Sequence, residues 1–245
     1  MKLSLFRGIL FYLGIGVVTL PYFVLAMLLL LTPLKTRLRV LSSWARLAVF
    51  WLRITCGLSY RVSFAAPLPS APYLVLANHA SAWETIALPL IFYPAVPVLK
   101  KSLLAIPFFG WGLATLKPIA IDRASPRQAA RKMLAKARMR IKEGFSVIVF
   151  PEGTRQPPGT LGHWQPGGAW LARKLGIPVV PVAHNAGFFW PRRAMGKRPG
   201  LIEVKVGPPL YPGMRAEELL EKSRAWVAAT LPTLGKVAAG EKKSA

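Results

Sequence analysis

The sequence predicts an α/β domain with a mixed, largely parallel sheet flanked by helices, preceded by an N-terminal membrane-anchoring helical pair. Three observations lead there. An uncharged run of 23 residues, Ile9 to Leu31, lies near the N-terminus. An amphipathic stretch follows it. From Tyr60 onward, short apolar runs alternate with longer helical ones, the pattern of strands joined by helices.

Each element has its own reason. About 20 apolar residues cross a bilayer core as a helix, so Ile9–Leu31 is long enough, and it exceeds the apolar region of a cleaved signal peptide. Basic residues flank both ends (Lys2 and Arg7; Lys35, Arg37 and Arg39), so charge does not orient the segment. A bend at Pro21 would place both ends on one face of the membrane. Val40–Cys56 carries Leu41, Trp44, Leu47, Ala48, Trp51 and Leu52 at steps of three and four, the spacing of an interfacial helix.

Strand-length runs then occur at Tyr73–Ala77, Val96–Leu99, Ile119–Ile121, Ser146–Phe150, Val179–Ala183 and Leu201–Val206. Between them, a helix starts at Ser125 as N-cap with Pro126 in its first turn, and stops at Gly144. Another spans Gly168–Leu175 before Gly176. A third covers Arg215–Thr230, with Glu217, Glu218 and Glu221 near the positive end of its dipole. The expected division is an anchor with an amphipathic helix over 1–57, an α/β domain over 58–232 and a polar tail over 233–245.

Thirty-three Lys and Arg face nine Asp and Glu, a formal charge of +24, while 53% of residues are hydrophobic. A positive field attracts nucleic acid, anionic lipid or an acidic carrier, and the hydrophobicity tilts the choice toward membrane lipid and away from nucleic acid. The helix Arg127–Lys142 carries seven basic residues and no acid. It is either a solvated face or a contact for anionic head groups or an acidic carrier. Cys56 is the only cysteine, which excludes an intramolecular disulfide, a cysteine-rich metal site and a CxxC redox pair.

The scarcity of acids makes their placement informative. Glu84 is the only acid among the first 121 residues. In open α/β sheets, ligands bind beyond the carboxyl ends of strands. Three polar clusters fall at such ends: Asn78-His79-Ala80-Ser81-Ala82-Trp83-Glu84, then Asp122-Arg123, then Pro151-Glu152-Gly153-Thr154-Arg155. Lys100 and Lys101 follow a further strand. On one helix, residues five apart point about 140° away from each other. His79 and Glu84 therefore meet only if the histidine precedes a helix and the carboxylate lies in its first turn. Ser81-x-x-Glu84 is a capping box that gives that arrangement. The carboxylate then holds one ring nitrogen and leaves the other as a general base. Ser81, engaged as a cap, makes a poor nucleophile, so the pair suits direct attack by a substrate hydroxyl. Arg123 and Arg155 have the planar forks that grip phosphate, and Gly153 lets backbone approach a ligand.

N-H-x-S-x-x-E, I-D-R, F-P-E-G-T-R and V-P-V, in this order over Ser59 to Gly207, resemble the glycerolipid acyltransferase family. The anchored start is also similar. The resemblance implies a glycerol-3-phosphate acyltransferase-like fold, with His79 as the general base and Glu84 as the acid that orients it. It places Lys100, Arg123 and Arg155 at the acceptor phosphate, and Glu152 and Gly153 around the acceptor, with Lys101 and Thr154 counted among the substrate-binding residues. Val180-Pro181-Val182 matches a motif of the acyl-donor side or of site architecture. The implied reaction is acyl transfer from acyl carrier protein or coenzyme A, as co-substrate, to the sn-2 hydroxyl of lysophosphatidic acid, giving phosphatidic acid. No metal or redox cofactor is implied. The implied location is a bacterial inner membrane, with the catalytic domain on the cytoplasmic face. Leu103–Trp111 is a candidate lining for an acyl chain. The sequence departs from the family pattern at Glu84, where Asp is commoner, in the second motif, which lacks the usual Gly and aromatic, and at Gln156, where Ser usually follows the Arg. Two rival readings are the same chemistry on another lysolipid, such as lysophosphatidylglycerol or a lyso-ornithine lipid, and a non-catalytic basic protein tethered to the membrane.

Overall fold

The computed structural model describes residues 2–70, 72–122 and 126–235. Its first two helices, α1 (Lys2–Leu28) and α2 (Leu34–Cys56), are joined by a short 3-10 turn at Leu29–Leu31. They run antiparallel. The Cys56 thiol reaches the Arg7 carbonyl, the Trp51 indole the Leu10 carbonyl, and the Trp44 indole the Thr19 hydroxyl. A Cβ on Gly14 would lie 2.3 Å from the Trp51 indole nitrogen, so the close approach of α1 to α2 depends on that glycine. The chain does not reverse at Pro21: α1 continues through it, and the reversal comes only after Leu28. Leu3–Leu31 is long and apolar enough to cross a membrane, and little of its surface is buried inside the protein. The amphipathic helix α2 starts at Leu34, earlier than its apolar spacing indicates. Arg37 lies buried in it and donates to the Thr115 carbonyl at 2.7 Å.

Seven strands follow: β1 (Leu58–Phe64), β2 (Leu74–Ala77), β3 (Ala95–Lys100), β4 (Ile119–Ile121), β5 (Ser146–Val149), β6 (Val179–His184) and β7 (Gly200–Val206). They form one sheet in the order β1-β7-β6-β2-β5-β3-β4. Every neighbouring pair is parallel except β6 with β7. The mixed, largely parallel sheet is thus the observed architecture. β1 was not among the strand-length runs. Its sequence LSYRVSF lies at the sheet edge with only Leu58 fully buried, so it has no continuous apolar signature.

The interior strands read as apolar runs because both their faces are covered. Side chains alternate between faces along a strand. Leu74, Leu76, Val147 and Val149 pack with Met133, Ala169 and Leu219 of the helices α5 (Pro126–Lys142), α6 (Gly167–Leu175) and α7 (Ala216–Thr230). Val75, Ala77 and Ile148 pack on the other face with Phe11, Leu52, Trp83 and Leu88, from α1, α2 and α3 (Trp83–Ile91). The anchor helices are therefore part of the second core layer. Gly144 after α5 (φ +84°) and Gly176 after α6 (φ +65°) terminate their helices in the left-handed region. The expected cap of α5, Ser125, lies outside the described residues. At the start of α7, the Arg215 N–H donates to the Glu218 carboxylate at 3.0 Å. Helix α4 (Phe109–Thr115) occupies part of the stretch assigned to an acyl-chain lining.

β2, β5, β3 and β4 are consecutive in the sheet and all parallel, so their carboxyl ends share one edge. His79, Glu152 and Asp122 follow those ends, and Lys100 is the last residue of β3.

Candidate active site

The turn after β2 is fixed by Asn78. Its amide nitrogen donates to the His184 carbonyl at 3.1 Å, and its amide oxygen accepts the His184 N–H at 2.9 Å. The His184 ring donates from Nε2 to the Asn78 carbonyl at 2.8 Å. These three bonds clasp the carboxyl ends of β2 and β6 together. Both residues are buried.

His79 leaves this clasp with its ring stacked on Phe150, centroids 4.6 Å apart at 24°. Nδ1 lies 2.8 Å from Glu84 Oε1. A carboxylate only accepts, so Nδ1 carries a proton, and in the neutral ring Nε2 is the nitrogen with the lone pair. His79 itself is 15% exposed and lines the main cavity. Its carbonyl accepts the Gln156 N–H at 2.7 Å, which joins the turn to the loop after β5.

Glu84 is fully buried. Its Oε1 also accepts the N–H groups of Ala80 at 2.9 Å and Ser81 at 2.7 Å. Oε2 has no hydrogen-bond partner among the described residues. Burial raises the pKa of this carboxyl, but the His184 charge, the His79 contacts and the Ser81 N–H more than offset it, and the net direction is downward. The Ser81 hydroxyl accepts the Trp83 N–H at 3.1 Å, and Ala82 already has helical dihedrals (φ −82°, ψ −20°), so Ser81 caps α3 as expected. The capping role and the imidazole contact do not use separate oxygens of Glu84. One oxygen serves both.

Glu152 sits behind His79, 7% exposed, and does not line the cavity. Burial pushes its carboxyl up to about 7, against smaller downward effects of the His79 N–H, the Trp164 indole and the Gly162 backbone. Those donors lie near the carboxyl but outside hydrogen-bond geometry.

The cavity has a volume of about 1280 Å³. His79, Lys100, Gly153, Thr154 and Arg155 line its polar part, and Gly153 holds a left-handed φ of +69°. Phe23, Leu41, Ile86, Phe108 and Leu113 are among the apolar walls. Of the proposed acyl lining, Leu103, Ile106, Phe108 and Phe109 face this space, whereas Trp111 does not. Lys101 is exposed on the short helix Lys101–Ala105 and does not line the cavity. Arg123 lies outside the described residues. Glu143 is engaged elsewhere, as the ion-pair partner of Arg140. Among the described residues, no three His, Cys, Asp or Glu side chains gather as metal ligands would.

A sequence model of the Acyltransferase family matches residues 59–185, from β1 through the Asn78–His184 clasp. The chain belongs to the acyltransferase family. It is 40% identical over 241 residues to a 1-acyl-sn-glycerol-3-phosphate acyltransferase of Pseudomonas aeruginosa, covering 94% of this chain and 92% of that protein. A 1-acyl-sn-glycerol-3-phosphate acyltransferase of Saccharomyces cerevisiae is 31% identical over 207 residues, covering 80% of this chain and 68% of its own length. The crystal structure of the 1-acyl-sn-glycerophosphate (LPA) acyltransferase PlsC from Thermotoga maritima has the same fold, with a TM-score of 0.77. That likeness covers 94% of this chain and 95% of the other at 24% identity. The acyltransferase thus carries its candidate dyad at a sheet edge, and an N-terminal helix suited to membrane anchoring forms one wall of the adjoining cavity.

Sequence reasoning did not find His184, Trp190, Arg192 or Lys197. His184 ends an apolar run, VVPVAH, where a buried histidine needs a partner, but that partner is 106 residues away.

Proposed function

We propose that this acyltransferase moves an acyl group from the thioester of acyl carrier protein or coenzyme A to the sn-2 hydroxyl of 1-acylglycerol-3-phosphate, giving phosphatidic acid. The observation that carries the reading is the His79–Glu84 bond at the edge of an apolar cavity that also bears Lys100 and Arg155. The names of the curated relatives support the acceptor.

In this reading, His79 Nε2 takes the proton of the sn-2 hydroxyl as its oxygen attacks the thioester carbonyl. The tetrahedral intermediate collapses, the C–S bond breaks, and His79 returns the proton to the departing sulfur. Glu84 holds the imidazole in the right tautomer and stabilises the imidazolium between these steps, a general-base contribution of about 10²–10⁴ in rate. Lys100 and Arg155, with Arg123, hold the acceptor phosphate. Gly153 and Thr154 shape the acceptor site, and Glu152 supports it from beneath. The apolar walls take the acyl chains. Proximity supplies much of the remaining acceleration. The scheme draws on no metal or redox cofactor. Residues 1–57 anchor the enzyme in the inner membrane with the α/β domain on the cytoplasmic face, where both donors are found.

The test is a panel of lysolipids offered to the detergent-purified protein with acyl-acyl carrier protein and with acyl-coenzyme A. Phosphatidic acid should form from lysophosphatidic acid. If another lysolipid is acylated and lysophosphatidic acid is not, the acceptor is wrong. His79→Ala should abolish transfer while leaving membrane association intact.

A further inference from the structure

In the segment Trp190–Lys197, Trp190 and Arg192 form part of the cavity wall, and Arg192 is a cation with no assigned role. Trp190 is buried and meets the Phe11 ring edge-on at 5.3 Å and the Tyr12 ring at 6.3 Å. Lys197, fully buried, places its ammonium over all three rings, at 4.6 Å from Phe11, 3.9 Å from Tyr12 and 4.5 Å from Trp190. Pro191 forms an antiparallel bridge with Ser81, two residues after the candidate base. The Ala194 N–H closes a turn on the Pro191 carbonyl at 3.2 Å, and Arg193 takes a left-handed φ of +62° to make that turn.

Arg192 is therefore held at the tip of a turn fastened on both sides. It lines the same cavity as His79, Lys100 and Arg155. Among the described residues it makes no ion pair. A left-handed non-glycine residue is strained and persists where its surroundings enforce it. Here the bridge and the ring cluster enforce it, and the result is an exposed arginine on the cavity wall.

An unpaired guanidinium in such a place suits a phosphate ester, which it can grip through two parallel N–H bonds. The acyl transfer proposed above, on which this inference rests, presents two of them. One is the phosphomonoester of the acceptor, and the other is the 4′-phosphate of the pantetheine arm common to both donors. We propose that Arg192 is a substrate-binding residue that, with Arg155, forms a phosphate-ester site on the cavity wall beside Trp190.

The test compares wild type, Arg192→Gln and Arg192→Lys. KM is measured for lysophosphatidic acid at saturating donor, and for acyl-coenzyme A and acyl-acyl carrier protein at saturating acceptor. Arg192→Gln should raise KM roughly tenfold or more, with a smaller change in kcat, and Arg192→Lys should recover part of the loss. A rise confined to lysophosphatidic acid assigns the acceptor phosphate. A rise for both donors assigns the pantetheine 4′-phosphate. Unchanged KM in every arm, with an active wild type, overturns the inference and leaves the proposed reaction standing. If the wild type acylates no lysolipid, the reaction itself is wrong. Calorimetric binding of coenzyme A and of glycerol 3-phosphate then decides, and equal affinities of wild type and Arg192→Gln overturn the site.

Discussion

Glu84 meets His79 through the same oxygen that caps the helix. Oε1 accepts the imidazole Nδ1–H at 2.8 Å together with the Ala80 and Ser81 N–H groups, while Oε2 is buried without a partner among the described residues. Three donors converging on one oxygen localise negative charge beside the imidazole. They also make the start of α3 and the orientation of the base one structural event, because any shift of the cap moves the acid.

Glu84→Gln separates the two roles. The amide oxygen can still accept the backbone N–H groups, but the side chain no longer carries the charge that stabilises an imidazolium. The variant should fold, with a midpoint of thermal unfolding close to wild type, and lose roughly 10²–10⁴ in kcat. Glu84→Ala should also lose stability, by about 1–3 kcal/mol, because two buried N–H groups lose their acceptor. Single-turnover kinetics and thermal unfolding measure both. A glutamine variant as active as wild type would remove Glu84 from the chemistry.

Glu152 predicts a pH dependence with a definite sign. Its pKa is about 7 in the folded protein against an ordinary 4.5, so between these values the folded state binds more protons than the unfolded state. The group costs nothing below about 4.5. Stability falls as pH rises to 7, by a total on the order of 3 kcal/mol. Glu152→Gln, neutral at every pH, should flatten that decline and gain stability at pH 8. Chemical denaturation of both proteins from pH 5 to 8 checks it, and parallel declines would contradict the assignment.

The central strands and the His79–Glu84 contact were legible in the sequence because both are local. Strands covered on both faces are apolar without interruption, as in Leu74–Ala77 and Ser146–Val149. His79 and Glu84 are five residues apart, and one capping box fixes their geometry. What was not legible depends on contacts distant in sequence. β1 lies at an edge with mixed residues and is defined only by pairing with β7. Asn78 finds His184, and Lys197 finds Phe11 and Tyr12, only after the whole sheet has closed. The single-oxygen arrangement of Glu84 depends on the backbone dihedrals around Ala80–Ala82, which residue types alone do not give.

Lys197 tests whether the ring cluster supplies strength or direction. Burial lowers its pKa from 10.5 to about 8, a cost on the order of 3 kcal/mol for keeping it charged at neutral pH. Three ring contacts at about 0.5–2 kcal/mol each, and one hydrogen bond to the Met195 carbonyl at 3.1 Å, return a similar amount. The terms nearly offset, so Lys197→Met, which keeps the length of the side chain, should stay within about 1 kcal/mol of wild type. Lys197→Ala, which leaves a cavity, should cost about 2–5 kcal/mol. A large loss in the methionine variant would show that the charge itself holds α1 in place.

Gly8 tests the docking of α1 more directly. A Cβ there would lie 2.1 Å from the Met195 carbonyl oxygen, backbone against backbone, with no flexible side chain to yield. Alanine in place of glycine within a helix ordinarily gains about 1 kcal/mol, so propensity alone predicts that Gly8→Ala is stabilising. The contact predicts the opposite: α1 must move away from the Ala194–Lys197 segment. Tyr12, one helical turn further along, moves with it and shifts the cavity wall that it shares with Trp190 and Arg192. Gly8→Ala should therefore lower the thermal midpoint and raise KM for the lysolipid, while Gly16→Ala, whose added methyl meets nothing within 4 Å, should do neither. Equal behaviour of the two variants would mean that α1 is not seated against this segment in the working enzyme.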